Sequence, residues 1–246
     1  MAGLGPFTRT QLLLGKQAME RLWNARVIVF GLGGVGGSAA EALARSGVGH
    51  LELVDNDVVS TTNLNRQLVA TTQTVGMPKT QAMSERLATV SPDAEVTTHE
   101  CFFLPDTADR FDFSRYDYVL DAVDTLTAKL QLVRSATEAG VPIISCMGTA
   151  NKLDPSALRV DDISRTSICP LARVMRKEAR KRGLGHFKVV YSTEPALVPV
   201  TDEETYEPIP EGSSRRSLPG STAFVPPAAG LLMASEVVRD LIRSDT

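Results

Sequence analysis

The chain has 246 residues, 43% hydrophobic and 22% charged, which excludes a fibrous or disordered protein and suits one generous domain. Its net charge of −3 excludes a global basic field, so any RNA contact must come from a local patch. The three cysteines, Cys101, Cys146 and Cys169, form no CxxC pair, which argues against zinc and disulfides and for a reducing cytoplasm.

Taken in order, residues 27–30 (VIVF) form a strand ending at Gly31, and 38–46 a helix. Residues 51–54 are a second strand, closed by Asp55-Asn56-Asp57. A helix over 78–89 enters at a proline, which needs no hydrogen-bond partner in the first turn. Strands follow over 95–98 and 118–120, then a helix over 125–139 and a strand over 142–146. After Gly148 the rhythm changes to a basic helix (167–183), a strand (188–192) and a polar loop (201–220). A last helix covers 226–243, its apolar stripe being Leu231, Ala234, Val238 and Leu241. Strands separated by helices predict an α/β fold, a Rossmann-like doubly wound, mostly parallel sheet with a C-terminal extension. One domain spans 1–246, with a nucleotide-binding part over about 9–148 and a substrate and dimer part over about 149–246. No apolar run reaches the roughly 18 residues of a membrane span, and the first residues lack a secretory-signal pattern. The expectation is a cytoplasmic protein with no membrane partner.

Gly31-Leu32-Gly33-Gly34-Val35-Gly36 lies between the first strand and first helix, where a glycine turn lets backbone amides meet phosphates. Asp55, at the tip of the next strand, is placed to accept ribose hydroxyls. The alternative is that the glycines serve close packing alone. An NAD oxidoreductase needs only these residues, yet here a cluster suited to phosphate follows. It comprises Asp57, Asn63, Asn65, Arg66 and Lys79, with Arg66 a guanidinium fork and Lys79 a point charge. Asp124, after the fourth strand, is placed to hold Mg²⁺, a hard cation that takes oxygen ligands; it could instead cap the following helix.

The ordered set GLGGVG, LVDNDVVSTTNLNRQ, VGMPK and VLDAVD resembles the ubiquitin-activating-enzyme-like adenylating superfamily, of ThiF/MoeB type. The resemblance implies that Asp55 binds ribose, that Asn63, Arg66 and Lys79 hold the triphosphate of ATP, and that Asp124 binds Mg²⁺. It also implies a homodimer in which Arg9 reaches the partner's site. Sulfur-carrier activators of this superfamily usually carry two CxxC zinc knuckles, and both are missing here.

DISRT at 162–166, CPLARVMRK at 169–177, KVVYSTE at 188–194, and PGS with FVPP near 219–227 narrow the resemblance to one branch. That branch is the tRNA threonylcarbamoyladenosine dehydratases. They are ATP-dependent, ligase-type tRNA-modifying enzymes that activate a threonyl carboxylate as an acyl adenylate and close a ring with loss of water. The branch also implies a sodium or potassium ion and, in some members, a cysteine desulfurase or sulfur-acceptor partner. Between 165 and 188 eight Arg or Lys residues face Glu178 as the one acid. Arg173, Arg176, Lys177, Arg180 and Lys181 are therefore candidate RNA contacts, against the alternative of a solvated helix face. The competing functions are adenylation of a ubiquitin-like sulfur carrier and NAD-dependent redox chemistry.

Overall fold

Residues 27–30 alternate between two environments. Val27 and Val29 pack with Leu51 and Leu53 on one face of a sheet, while Ile28 and Phe30 pack with Val119 on the other. A strand buried on both faces in this way belongs at the centre of a parallel sheet covered by helices on each side. The computed structural model, described here for residues 5–200 and 219–243, has that architecture. The expected loop over 201–220 lies outside the described residues except at its last two positions.

The strands are β1 (Arg26–Phe30), β2 (His50–Val54), β3 (Glu95–His99), β4 (Tyr118–Asp121), β5 (Ile143–Cys146), β6 (Leu158–Asp162) and β7 (Lys188–Ser192). The sheet order is β3-β2-β1-β4-β5-β7-β6. All neighbours are parallel except β6, which runs antiparallel to β7 at the edge. Helices α3 (Gly34–Ser46), α4 (Lys79–Val90) and α7 (Val225–Leu241) cover one face. Helices α5 (Leu126–Ala139) and α6 (Pro170–Lys181) cover the other with Phe103, Phe111 and Phe113. Two short helices, α1 (Thr8–Leu14) and α2 (Lys16–Asn24), precede the sheet.

Strand order reverses at β1, since the chain moves outward through β2 and β3 and then returns to β4 on the opposite side. The crevice beyond the carboxyl ends of β1 and β4 is where such sheets hold ligands. The C-terminal extension takes part in the sheet: β7 continues it beyond β5, and α7 crosses α3. At that crossing a Cβ on Gly230 would stand 2.2 Å from the Val35 carbonyl oxygen, so only glycine permits the approach. Of the expected stripe, Ala234 is buried and Val238 and Leu241 pack against the core, while the contact draws the buried face toward Gly230 and away from Leu231. Ala229, Gly230, Met233, Ala234 and Val237 are buried, while Leu231 is 55% exposed.

Helices α3 and α4 are joined by Glu41, whose carboxylate accepts hydrogen bonds from Arg86 and, at 2.7 Å, from Arg45. Burial pushes this carboxyl upward, but the two arginines outweigh it and hold it below its usual value. A depressed carboxylate contributes stability above its unfolded pKa, about 4.3, that is lost as pH falls through the folded value. Urea midpoints should therefore fall more between about pH 5 and pH 3 in the wild type than in Glu41→Gln. Parallel curves for the two proteins would contradict this ion pair's role.

Candidate active site

Each loop at the carboxyl edge brings one piece of the predicted site. β1 ends at Gly31, whose φ of +86° places it in the left-handed region. A Cβ there would meet the Ala122 carbonyl oxygen at 2.7 Å, so the turn passes directly beneath the β4–α5 loop. Helix α3 starts at Gly34, four residues before the predicted start, because the glycine run itself forms the first helical turn. Glycine's poor helix propensity hides that turn in the sequence.

β2 delivers Asp55, whose carboxylate accepts from the Leu32 amide at 2.6 Å and the Asp57 amide at 2.8 Å. These bonds fasten the acidic tip to the glycine turn. A 3₁₀ turn over Thr61–Asn63 follows, closed by a capping box in which Asn63 Oδ1 accepts from the Ser60 amide at 3.1 Å. The Asn63 side chain keeps both N–H donors free for a ligand phosphate. Arg66 is half-buried, and its guanidinium donates to the Thr62 carbonyl and to Asn65 Oδ1, each at 2.9 Å. Burial draws Arg66 below its usual pKa, though a guanidinium stays charged. Lys79, 5% exposed at the start of α4, is paired with Asp57 at 2.8 Å.

These side chains open on one cleft of about 900 Å³. Gly31, Gly33, Gly34, Asp55, Asp57, Asn63, Arg66, Lys79 and Asp124 all line it. The arrangement presents backbone amides, a guanidinium and an ammonium for phosphates, with a carboxylate for a ribose. Gln67, the last residue of the LVDNDVVSTTNLNRQ motif but given no role there, also lines the cleft, and its Oε1 is buried with no hydrogen-bond partner among the described residues.

Other predicted residues stand elsewhere. Gly36 does not line the cleft; it packs beneath, where a Cβ would fall 1.7 Å from the Gly31 oxygen. Asn65 does not itself line the cleft; it donates to the Ser221 carbonyl at 2.9 Å and accepts from Arg66, linking the phosphate-facing loop to the far wall. Arg9 is exposed on α1 and does not line the cleft of its own chain. On α6, Arg173, Lys177, Arg180 and Lys181 are exposed, but Arg176 is half-buried and donates to the Thr166 carbonyl at 2.9 Å. Lys181 pairs with Glu178 at 3.0 Å.

Beneath the cleft lies a network that strand patterning does not reveal. Asp121 and Lys129, 0% and 1% exposed, pair at 3.1 Å. Lys129 also donates to the Cys146 carbonyl at 2.6 Å, and Asp121 accepts from Ser145 and from the Val123 amide. The pair joins the ends of β4 and β5 to the first turns of α5, and so fixes the loop bearing Asp124. Burial raises the Cys146 thiol to about 12, which keeps it an inert packing group.

Among the described residues no three His, Cys, Asp or Glu side chains gather as a metal cage, and no helix is long and apolar enough to cross a membrane.

The ThiF family model matches residues 7–245. The Bacillus subtilis tRNA threonylcarbamoyladenosine dehydratase is 43% identical over 243 residues, covering 98% of this chain and 96% of that protein. The crystal structure of the Escherichia coli tRNA N6-threonylcarbamoyladenosine dehydratase TcdA in complex with ATP superposes with a TM-score of 0.85 at 30% identity, over 96% of this chain and 93% of that one. The molybdopterin-synthase adenylyltransferase of Salmonella typhimurium is 39% identical, but over 52% of this chain. A family match over residues 7–245, which takes in the whole described sheet with its glycine turn and acidic tip, means that the chain belongs to the ThiF family.

Proposed function

We propose that this protein is an ATP-dependent tRNA threonylcarbamoyladenosine dehydratase. The observation that carries the reading is the reach of the likeness: the Bacillus subtilis dehydratase matches over 98% of this chain and the Escherichia coli one over 80%, whereas the sulfur-carrier activator matches over about half. The substrate-facing half is therefore shared with enzymes that act on the modified nucleoside.

ATP lies along the glycine turn, with its ribose on Asp55 and its phosphates against Asn63, Arg66 and Lys79. A threonyl carboxylate oxygen attacks the α-phosphorus; the new P–O bond forms as the bond to the β-phosphate oxygen breaks and pyrophosphate leaves. The carbamoyl nitrogen then attacks the acyl carbon, AMP departs, and the ring closes with net loss of one water. Positioning and charge neutralisation supply the catalysis, so no enzyme nucleophile is required. Lys79, ion-paired to Asp57 and nearly buried, is oriented before substrate arrives.

One carboxylate beside phosphates suits Mg²⁺, which is usually held by one or two acids, water and the nucleotide itself. Asp124 would hold it, and when bound the ion neutralises charge on the departing pyrophosphate. Helix α1 has no buried residue, and its Leu12 and Leu13 are each 83% exposed beside Arg9. That apolar pair supports docking on a second copy in a cytoplasmic homodimer, with Arg9 delivered to the partner's cleft.

Pyrophosphate release is the direct test. It should require tRNA bearing threonylcarbamoyladenosine and be absent with a ubiquitin-like carrier; the reverse pattern would restore the sulfur-carrier reading. The tRNA surface is placed on the exposed face of α6. Reversing Arg173, Lys177 and Arg180 to Glu should weaken tRNA binding and flatten its salt dependence by roughly one log–log unit for each phosphate interaction removed. ATP affinity should stay unchanged, because exposed charges are screened within about 8–10 Å. An unaltered salt slope would make this face merely solvated.

A further inference from the structure

Beyond the nucleotide residues the cleft continues to a second end, lined by Thr149, Ala150, Asn151, Pro219 and Ser221. The start of α6 packs beside that end: a Cβ on Gly148, the residue before Thr149, would meet Leu171 at 3.8 Å and Cys169 Sγ at 3.9 Å. The turn that enters α6 is strained. Ile168 has a φ of +61°, and the Cys169 amide donates to the Ser167 carbonyl across it. A bond that spans one residue of positive φ makes the rare form of γ-turn. Among the described residues the other non-glycine at positive φ is Asn151, a residue type that tolerates it. A β-branched side chain does not, because its Cβ crowds the backbone in the left-handed region.

Both flanks of the turn are anchored. Thr166 is buried; its hydroxyl donates to the Ile163 carbonyl at 2.8 Å, and its own carbonyl accepts from Arg176 at 2.9 Å. Cys169 is buried in the core beneath α6. Between these anchors Ile168 is 59% exposed. An apolar side chain held out to solvent by a strained turn is costly on both counts, and such outliers persist where the side chain meets a partner. The surroundings indicate which partner. Exposed Arg173 and Lys177 follow Cys169 by one and two helical turns, with Arg180 beyond and the half-exposed Val174 between. Glu178, the one acid between 165 and 188, is already engaged by Lys181 and Arg182. An apolar tip at the head of a cationic stripe fits a single-stranded RNA loop, which offers unstacked base faces between phosphates.

We infer that Ile168 is an apolar wedge for the anticodon loop, packing on the face of a base next to the modified adenosine while Arg173, Lys177 and Arg180 hold phosphates. Arg176 then serves the RNA indirectly, by bracing the turn. Holding the neighbouring base outside leaves the modified nucleoside free to enter the cleft. This rests on the dehydratase reading above, and it names a base contact where that reading has only charges.

The test uses the full-length protein and two anticodon stem-loop RNAs bearing threonylcarbamoyladenosine, one intact and one with abasic sites flanking the modified nucleotide. Ile168→Gly and Ile168→Asn remove the apolar side chain while accepting the φ of the turn, so both should fold and keep wild-type AMP affinity. Each should bind the intact stem-loop about tenfold more weakly, the worth of one buried aliphatic side chain. The salt slope should stay unchanged, because no phosphate contact is lost. With the abasic stem-loop, wild type and variants should bind alike. Wild-type affinity for the intact stem-loop in either folded variant overturns the inference. So does an equal loss with both RNAs, or a loss of AMP affinity in both variants, since either would make the turn a support for the fold. A changed oligomeric state with RNA binding intact also overturns it, by assigning Ile168 to a protein contact. A wild type that releases pyrophosphate with the intact stem-loop but ignores the abasic sites overturns the inference alone. One that releases none with it overturns the dehydratase reading itself.

Discussion

Replacing Arg66 or Lys79 by alanine is expected to leave a folded protein and to lower ATP-dependent turnover by about 10²–10³, or about 2.7–4 kcal/mol of transition-state stabilisation. Both side chains face the cleft that holds the glycine turn, and both are fixed before ligand arrives. Arg66 is anchored by the Thr62 carbonyl and Asn65, and Lys79 by Asp57. Such preorganised charges act where the pentavalent phosphorus and leaving pyrophosphate gather negative charge. Single-turnover rates with tRNA and saturating ATP measure the effect directly. Near-native rates in either variant would remove that residue from the phosphate site. Lys79→Ala carries one further consequence: Asp57 loses its cation, so its carboxylate then repels the nucleotide. Lys79→Ala/Asp57→Ala should therefore bind ATP better than Lys79→Ala alone.

Asp124→Asn and Asp55→Ala are expected to fail in different ways. Asp55 accepts two backbone amides, one from the glycine turn and one from its own tip, so alanine both removes the proposed ribose acceptor and loosens the turn. Nucleotide affinity should fall by about tenfold or more, from a charged hydrogen bond removed. Asp124 lies past the Gly31–Ala122 contact, on a loop set by the buried Asp121–Lys129 pair. Its amide counterpart should keep AMP affinity, raise the Mg²⁺ concentration needed for turnover, and lower the rate by roughly 10²-fold or more. Calorimetry with AMP and a Mg²⁺ titration of turnover separate the two. Equal losses of affinity and rate in both variants would contradict the division of labour.

Local chemistry explains what is legible in the sequence. Strands β1 and β4 are short apolar runs ended by Gly31 and Asp121, the signature of parallel strands buried on both faces, and the run at β5 is likewise buried throughout. The nucleotide end of the site follows because topology places strand tips together, so Gly31, Asp55 and Asp124 meet without further information. Edge strand β6 escapes the pattern because Leu158–Asp162 carries Arg159, Asp161 and Asp162, and of its five residues only Leu158 is fully buried. Helices α1 and α2 escape it too; α1 has no buried residue in its own chain to impose a stripe. In α7 the expected Ala234, Val238 and Leu241 meet the core but Leu231 does not, because the close backbone approach at Gly230 turns that side toward solvent. The second end of the cleft is invisible for a different reason. Asn65 meets Ser221, and Asn151 meets Gly220, across 156 and 69 residues of chain, which no spacing rule reports.

The measurement that bears most directly on the central claim is mass spectrometry of tRNA nucleosides, prepared under mild conditions that preserve a hydrolysable ring. Cells with and without this gene should differ at one nucleoside. With the gene, threonylcarbamoyladenosine should appear in its cyclic form, lighter by one water; without it, only the open form should remain. Restoring the wild-type gene should return the cyclic form, and restoring Lys79→Ala should not. Equal amounts of the cyclic nucleoside in both strains would contradict the account.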